Sequence, residues 1–249
     1  QAPLLAGAFA ALGIERPVVV GHSWGVLVAL SLALEEPQTV GGLVLLSGYY
    51  RPTARLDAPL PALAAVPVLG DLLRYTVSPF VSDATLTSTL QGMFWPMPVP
   101  ERVRIEFPYG FPARPWQIRA EGQDAATMVP AAADLQRRYG DLMQPVTIIA
   151  GTEDKVVDHE HQSVWFKGAV PGSALRLVQG AGHMVHHAAP DEVAEAVDLA
   201  TRKPPIENHQ RIVVAPQHGR TIPALSRPAA RKQLRHRPDN EHQQRQPDE

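Results

Sequence analysis

The chain has 249 residues, 45% of them hydrophobic, enough for one α/β core carrying an added helical region. It contains no cysteine, which excludes disulfides and thiolate zinc sites, and no apolar run reaches the ~18–20 residues of a membrane-spanning helix. The net charge of −2 conceals an asymmetry: residues 201–249 carry ten Lys/Arg against five Asp/Glu, and residues 1–200 carry 13 against 20.

The first predicted element is a helix over "PLLAGAFAALG", with Gly13 as its C-cap. Val18 to Val20 follow as a short apolar strand of the kind buried on both faces of a parallel sheet. Next comes Gly21-His22-Ser23-Trp24-Gly25, and then a helix on which Leu27, Leu30 and Leu34 recur at helical spacing, with Ala29 and Ala33 adding small packing surface. A corner this tight requires close approach of strand and helix, which Gly21 and Gly25 would permit by lacking Cβ atoms. Ser23 is then left at the apex, strained and exposed, beside a helix N-terminus whose free N–H groups favour negative charge. G-x-S-x-G between a strand and a helix is the nucleophile-elbow pattern.

Three further strands follow. Leu43 to Ser47 ends with no nearby carboxylate. Val146 to Ala150 runs into Gly151-Thr152-Glu153-Asp154, and Leu175 to Val178 runs into a glycine-rich loop carrying His183. A helix then opens at Pro190-Asp191-Glu192. Parallel strands bring their C-terminal ends to one edge of the sheet, where ligands bind in open α/β folds. Ser23, a carboxylate at 153 or 154, and His183 each fall just past such an end, in the chain order Ser, Asp, His.

On these motifs, "GHSWG", "AGTEDKVV" and "GAGHMVHH", the chain resembles the α/β-hydrolase superfamily over about residues 2–202. The resemblance implies a mostly parallel α/β sheet with a helical cap, and Ser23 as nucleophile. It implies His183 as general base and then acid, Asp154 as its orienting acid, and the Trp24 backbone N–H as an oxyanion-hole donor. Dehalogenases and epoxide hydrolases within the family are disfavoured, because their elbow carries an aspartate where this chain has Ser23. Esterases, lipases, peptidases, C–C hydrolases and cofactor-free haloperoxidases stay open, as does an inactive hydrolase-like binding protein. No cofactor is implied.

Some neighbours compete for these roles. Glu153 is the alternative acid; Asp154 fits the family turn better, three residues after Gly151 and three before Val157. Asp158 reads as the N-cap of the next helix. His22 reads as a wall of the substrate pocket or as packing, and His186 and His187 as loop and early-helix residues near His183. The His159-Glu160-His161 run and the His183/186/187 group read as loop histidines, not as a metal site, since no compact second ligand set accompanies them.

The domain expectation is a core half at residues 1–50, a helical cap at 51–140, a second core half at 141–202 and a disordered basic tail at 203–249. The cap region holds eleven prolines before Trp116. It carries an apolar stretch with Leu69, Leu72, Leu73 and Val77 at helical spacing, and then two helices opening at Pro115 and Pro130. Phe94 and Trp95, with Met93, Met97 and Phe107, are candidates to line an apolar acyl site or to form the core of the cap. The tail has seven prolines, and only Ile212 to Val214 could pack. Its mixed charges argue against nucleic-acid binding. The expected partner is a small to medium, uncharged carbonyl substrate, an ester first. Compartment and oligomeric state stay open.

The elbow arrives only twenty-odd residues into a chain that starts at Gln1. In the family several strands precede it, one of them leading to the loop with the second oxyanion donor. The sequence-level expectation is therefore a fragment without the N-terminal strands, with Val18–Val20 as an open, apolar sheet edge.

Overall fold

Leu43, Val44, Leu45 and Leu46 alternate between two cores, and this explains why the strand that carries them has no polar residue. Leu43 and Leu45 enter one cluster with Val146 and Ile148; Val44 and Leu46 enter a second with Ile149, Ala196 and Ala200. The computed structural model describes residues 1–53, 66 and 68–202. The expected tail at 203–249, with Ile212–Val214, and residues 54–65 and 67 of the expected cap lie outside the described residues.

Four strands form the described sheet: β1 (Val18–His22), β2 (Gly42–Leu46), β3 (Val146–Gly151) and β4 (Ala174–Val178). All neighbours are parallel, in the order β1-β2-β3-β4, with Val20 opposite Val44 and Leu45 opposite Ile148. Parallel strands need crossovers, and the chain supplies helices for them. The helix α1 (Ala2–Leu12) stops at Gly13, whose φ of 65° is the left-handed cap expected there. The helix α2 (Gly25–Glu35) follows the elbow. It is buried on more than the stripe read from its leucines and alanines: Val26 and Leu32 are also enclosed, and α1 packs against it.

Between β2 and β3 lie α3 (Leu69–Tyr75), α4 (Ser78–Phe94), α5 (Glu101–Glu106) and α6 (Pro115–Leu135). The helix expected from the 69–77 spacing forms over Leu69–Tyr75. A new helix starts at Ser78-Pro79, so α3 stops at Tyr75, and Leu69, Leu72 and Val77 stay exposed. Pro130 does not open a second helix but sits inside the 21-residue α6. Proline there lacks the N–H that would bond to Ala126 and crowds the preceding turn. The helix continues because Met128, Ala132 and Leu135 are buried in the same cluster as α2. Burial on both sides of the proline outweighs the local penalty.

After β3, a π-helical turn (Glu160–Val164) leads into α7 (Trp165–Ala169). Asp158 caps this segment as expected: its Oδ1 accepts from the His161 backbone N–H (2.7 Å), which also holds its carboxyl below the ordinary aspartate range. After β4 come the short α8 (Val185–Ala188) and the amphipathic α9 (Pro190–Arg202), whose Ala196 and Ala200 cover the second face of the sheet. No helix among the described residues is long and apolar enough to cross a membrane.

Candidate active site

The C-terminal ends of β1, β3 and β4 converge on one set of side chains. β1 ends at His22, and Ser23 follows with φ of 55°, a left-handed conformation that costs a non-glycine residue about 1–3 kcal/mol. The corner is held by backbone bonds. The Ser23 N–H donates to the Leu46 carbonyl (2.9 Å), and the Ser23 carbonyl accepts from Val26 (3.2 Å) and Tyr49 (3.4 Å). The glycine expectation holds at one position. A Cβ on Gly21 would come within 3.0 Å of the Gly25 carbonyl and the Val26 Cα, whereas a Cβ on Gly25 would meet nothing within 4 Å. Close approach therefore requires glycine before Ser23 but not after it.

His183 Nε2 lies 2.9 Å from Ser23 Oγ, and its Nδ1 lies 2.8 Å from Asp154 Oδ2. The carboxylate accepts, so Nδ1 carries the hydrogen and Nε2 is left to accept from the serine hydroxyl. The His183 and Asp154 side chains are both 1% exposed, which strengthens their electrostatic interaction. Asp154 Oδ1 accepts from the Val156 and Val157 N–H groups (2.8 and 2.9 Å), so its orientation is locked by the turn that follows β3. Glu153 is exposed and engages the histidine loop only through its backbone, its N–H donating to the Ala181 carbonyl (2.9 Å). The carboxylate on His183 is thus that of Asp154.

Trp24 opens α2 at φ −61°, ψ −31°, so its N–H belongs to the first helical turn, where such groups lack intrahelical partners. The loop leaving β2 lies against the elbow and is stapled from below. Gln162 Oε1 accepts from the Tyr50 and Arg51 N–H groups (2.7 and 3.0 Å), and the Tyr139 hydroxyl donates to the Tyr50 carbonyl (2.5 Å).

The remaining sequence candidates separate. Phe94 is 1% exposed and packs on His187, with ring centroids 5.1 Å apart, so it presents no open face. Trp95 is 48% exposed, with Lys155 Nζ 4.2 Å above its ring. Its carbonyl lies where a Cβ on Gly182 would stand, 1.6 Å away, so α4 ends directly on the histidine loop and glycine is required there. Phe107 and His187 line a cleft of 520 Å³ together with Pro100, Val103 and Pro108. His161 pairs with Asp158, and among the described residues no three His, Cys, Asp or Glu side chains form a metal-holding group.

Sequence reasoning missed two features. His22 Nε2 lies 3.0 Å from the His183 carbonyl oxygen. His22, His186 and His187 are in serial ring contact, at 4.6 Å for each pair. Burial lowers the His22 pKa, partly offset by that hydrogen bond, and pushes His186 down to about 4 with help from the neighbouring histidines. The adjacency of His186 and His187 is visible in the sequence, but the edge-on contact of His186 with His22 is not.

The profile of the family described as alpha/beta hydrolase fold matches residues 8–190. An uncharacterized protein of Mycobacterium tuberculosis is 29% identical over 206 residues, covering 77% of this chain and 56% of the relative. The chain thus spans about half the length of such curated relatives. Among solved structures, the 2-hydroxy-6-oxo-6-phenylhexa-2,4-dienoate hydrolase of a Rhodococcus strain superposes with a TM-score of 0.62 at 17% identity, over 81% of this chain and 69% of that one. A structure from a study of carboxylesterases of Nitrososphaera gargenis gives 0.60 at 15%, over 80% and 71%. With its parallel sheet, the strand-to-helix corner at Ser23 and a family match across most of its length, the chain belongs to the alpha/beta hydrolase fold family.

Proposed function

We propose that the protein is a serine hydrolase acting on a small to medium, largely apolar carbonyl substrate, an ester first, through an acyl-enzyme. The observation that carries this reading is the unbroken chain from Asp154 Oδ2 to His183 Nδ1 and from His183 Nε2 to the Oγ of a strained Ser23. Such a chain has the tautomer that general-base catalysis requires.

In the proposed reaction, His183 Nε2 takes the hydroxyl proton as Ser23 Oγ attacks the carbonyl carbon. Asp154 stabilises the resulting imidazolium without itself being protonated. The oxyanion meets the Trp24 N–H at the positive end of α2. The imidazolium returns its proton to the leaving alcohol, and the C–O bond to that alcohol breaks. Water then attacks the acyl carbon and gives a proton to His183; the bond from that carbon to Ser23 Oγ breaks, His183 returns the proton to Oγ, and the acid leaves. The helices between β2 and β3 act as the cap over this centre, with the Trp95 carbonyl against Gly182 and Phe94 on His187 among their contacts with the histidine loop and the helix that follows it. The cleft also carries Arg102 and Glu106, which pair with each other, so its side at Pro100, Val103, Phe107 and Pro108 is the part that suits an uncharged acyl or alcohol group.

Turnover of a p-nitrophenyl ester tests the reading. Wild type should show saturable hydrolysis, and both Ser23→Ala and His183→Ala should lose it by at least about 10³-fold, since the two act as a unit. Equal rates in all three proteins would overturn it.

A further inference from the structure

We propose that His22 is a positioning residue that holds the His183 loop against the nucleophile corner, an inference that rests on the serine-hydrolase reading of the same site. His22 Nε2 lies 3.0 Å from the His183 carbonyl oxygen. A carbonyl only accepts, so Nε2 carries the hydrogen. The His22 ring lodges between two others, 4.8 Å from His183 at 50° and 4.6 Å from His186 at 68°.

The loop between β4 and α8 needs such a restraint. It contains Gly180 at φ 72° and Gly182, both without side chains to anchor it. It is tied to the turn after β3 through the Ala181 carbonyl with the Glu153 N–H and through the Gly180 N–H with Thr152 Oγ1 (3.0 Å), and to β1 through His22. The tie to β1 is the mechanistic one. His22 and Ser23 are consecutive on one rigid strand end, so one backbone sets the nucleophile and, through the His22 ring, the base. The Ser23 Oγ to His183 Nε2 separation is thereby fixed at both ends. A neutral His22 also suits this place, because an imidazolium would oppose the positive charge that His183 acquires when it takes the serine proton. Burial shifts His22 towards that neutral form.

The test uses the full chain with His22→Phe, which keeps the ring and removes the donor, and His22→Gln, whose amide N–H can reach the same carbonyl. Three readouts are taken: kcat and KM on a p-nitrophenyl ester, the low-field NMR resonance of the His183 Nδ1 proton, and the melting temperature. The Phe variant should lose about 10- to 100-fold in kcat with KM within about twofold, as misplacement of a reacting group does. Its Nδ1 resonance should broaden or vanish, and the Gln variant should recover both. Three results would overturn the assignment. One is a Phe variant with wild-type kcat and an unchanged resonance. Another is equal impairment of both variants with a lowered melting temperature, which marks a packing role. The third is a change in KM alone, which marks a pocket wall. If wild type hydrolyses no ester, the serine-hydrolase reading fails, while the Nδ1 resonance in the two variants still decides what His22 does.

Discussion

Asp154 and Glu153 are adjacent carboxylates with opposite environments: one is buried under two N–H donors and His183, the other faces solvent. Asp154→Asn should cut ester turnover by about 10⁴-fold by setting the wrong His183 tautomer, and Glu153→Gln should leave it within about twofold. Steady-state kinetics on both variants check this, and the reverse order would move the acid to Glu153. A second residue-scale expectation concerns acid stability. The folded His186 ring stays neutral down to about 4, against an ordinary value of 6.5, amid His22, His183 and His187. Between these values the unfolded chain binds the proton that the folded chain refuses, so stability falls as pH drops from about 6.5 towards 4. Melting temperatures across that range should fall less steeply for His186→Gln than for wild type; equal slopes would show that His186 titrates normally. Ser23 and the carboxylate turn were legible because each is encoded within a few consecutive residues. The bond from His22 was not, since its partner is a backbone carbonyl 161 residues away that no local pattern specifies.

At the scale of elements, strands were legible wherever both faces are buried, because Leu43–Leu46 and Ile148–Ile149 then read as continuous apolar runs. β1 was read short at Val20 because Gly21 looks like a break, yet the ladder continues through Gly21 and His22 opposite Leu45 and Leu46. The helices between β2 and β3 were less legible, since proline marks a helix start and a helix interruption with the same letter. At Pro79 it opens α4; at Pro130 it lies within α6, where tertiary burial decides. Pro130→Ala restores an N–H donor to α6 and should stabilise the protein, by up to about 3 kcal/mol. Urea unfolding measures this. A lower midpoint in the variant would mean that the proline itself is packed to advantage.

Among the described residues, one sheet with cores on both faces delivers three loops to a single edge, and each loop carries one member of the proposed triad. Among the described residues β1 has a neighbour on one side only, and Val20 is 47% exposed there, so the nucleophile stands on the edge strand of the described sheet. The base and the acid come from β4 and β3, farther across it. Hydrogen bonds between these loops, more than the strand order, therefore keep the three side chains in register, which makes Ser23 reactivity the most direct report on the assembled site. The measurement is intact mass and peptide mapping after exposure of the full chain to a fluorophosphonate. A stoichiometric adduct on the peptide containing Ser23, lost in Ser23→Ala and strongly slowed in His183→Ala, is the predicted result; an unmodified Ser23 in the folded protein, or an adduct elsewhere that survives both substitutions, would contradict it.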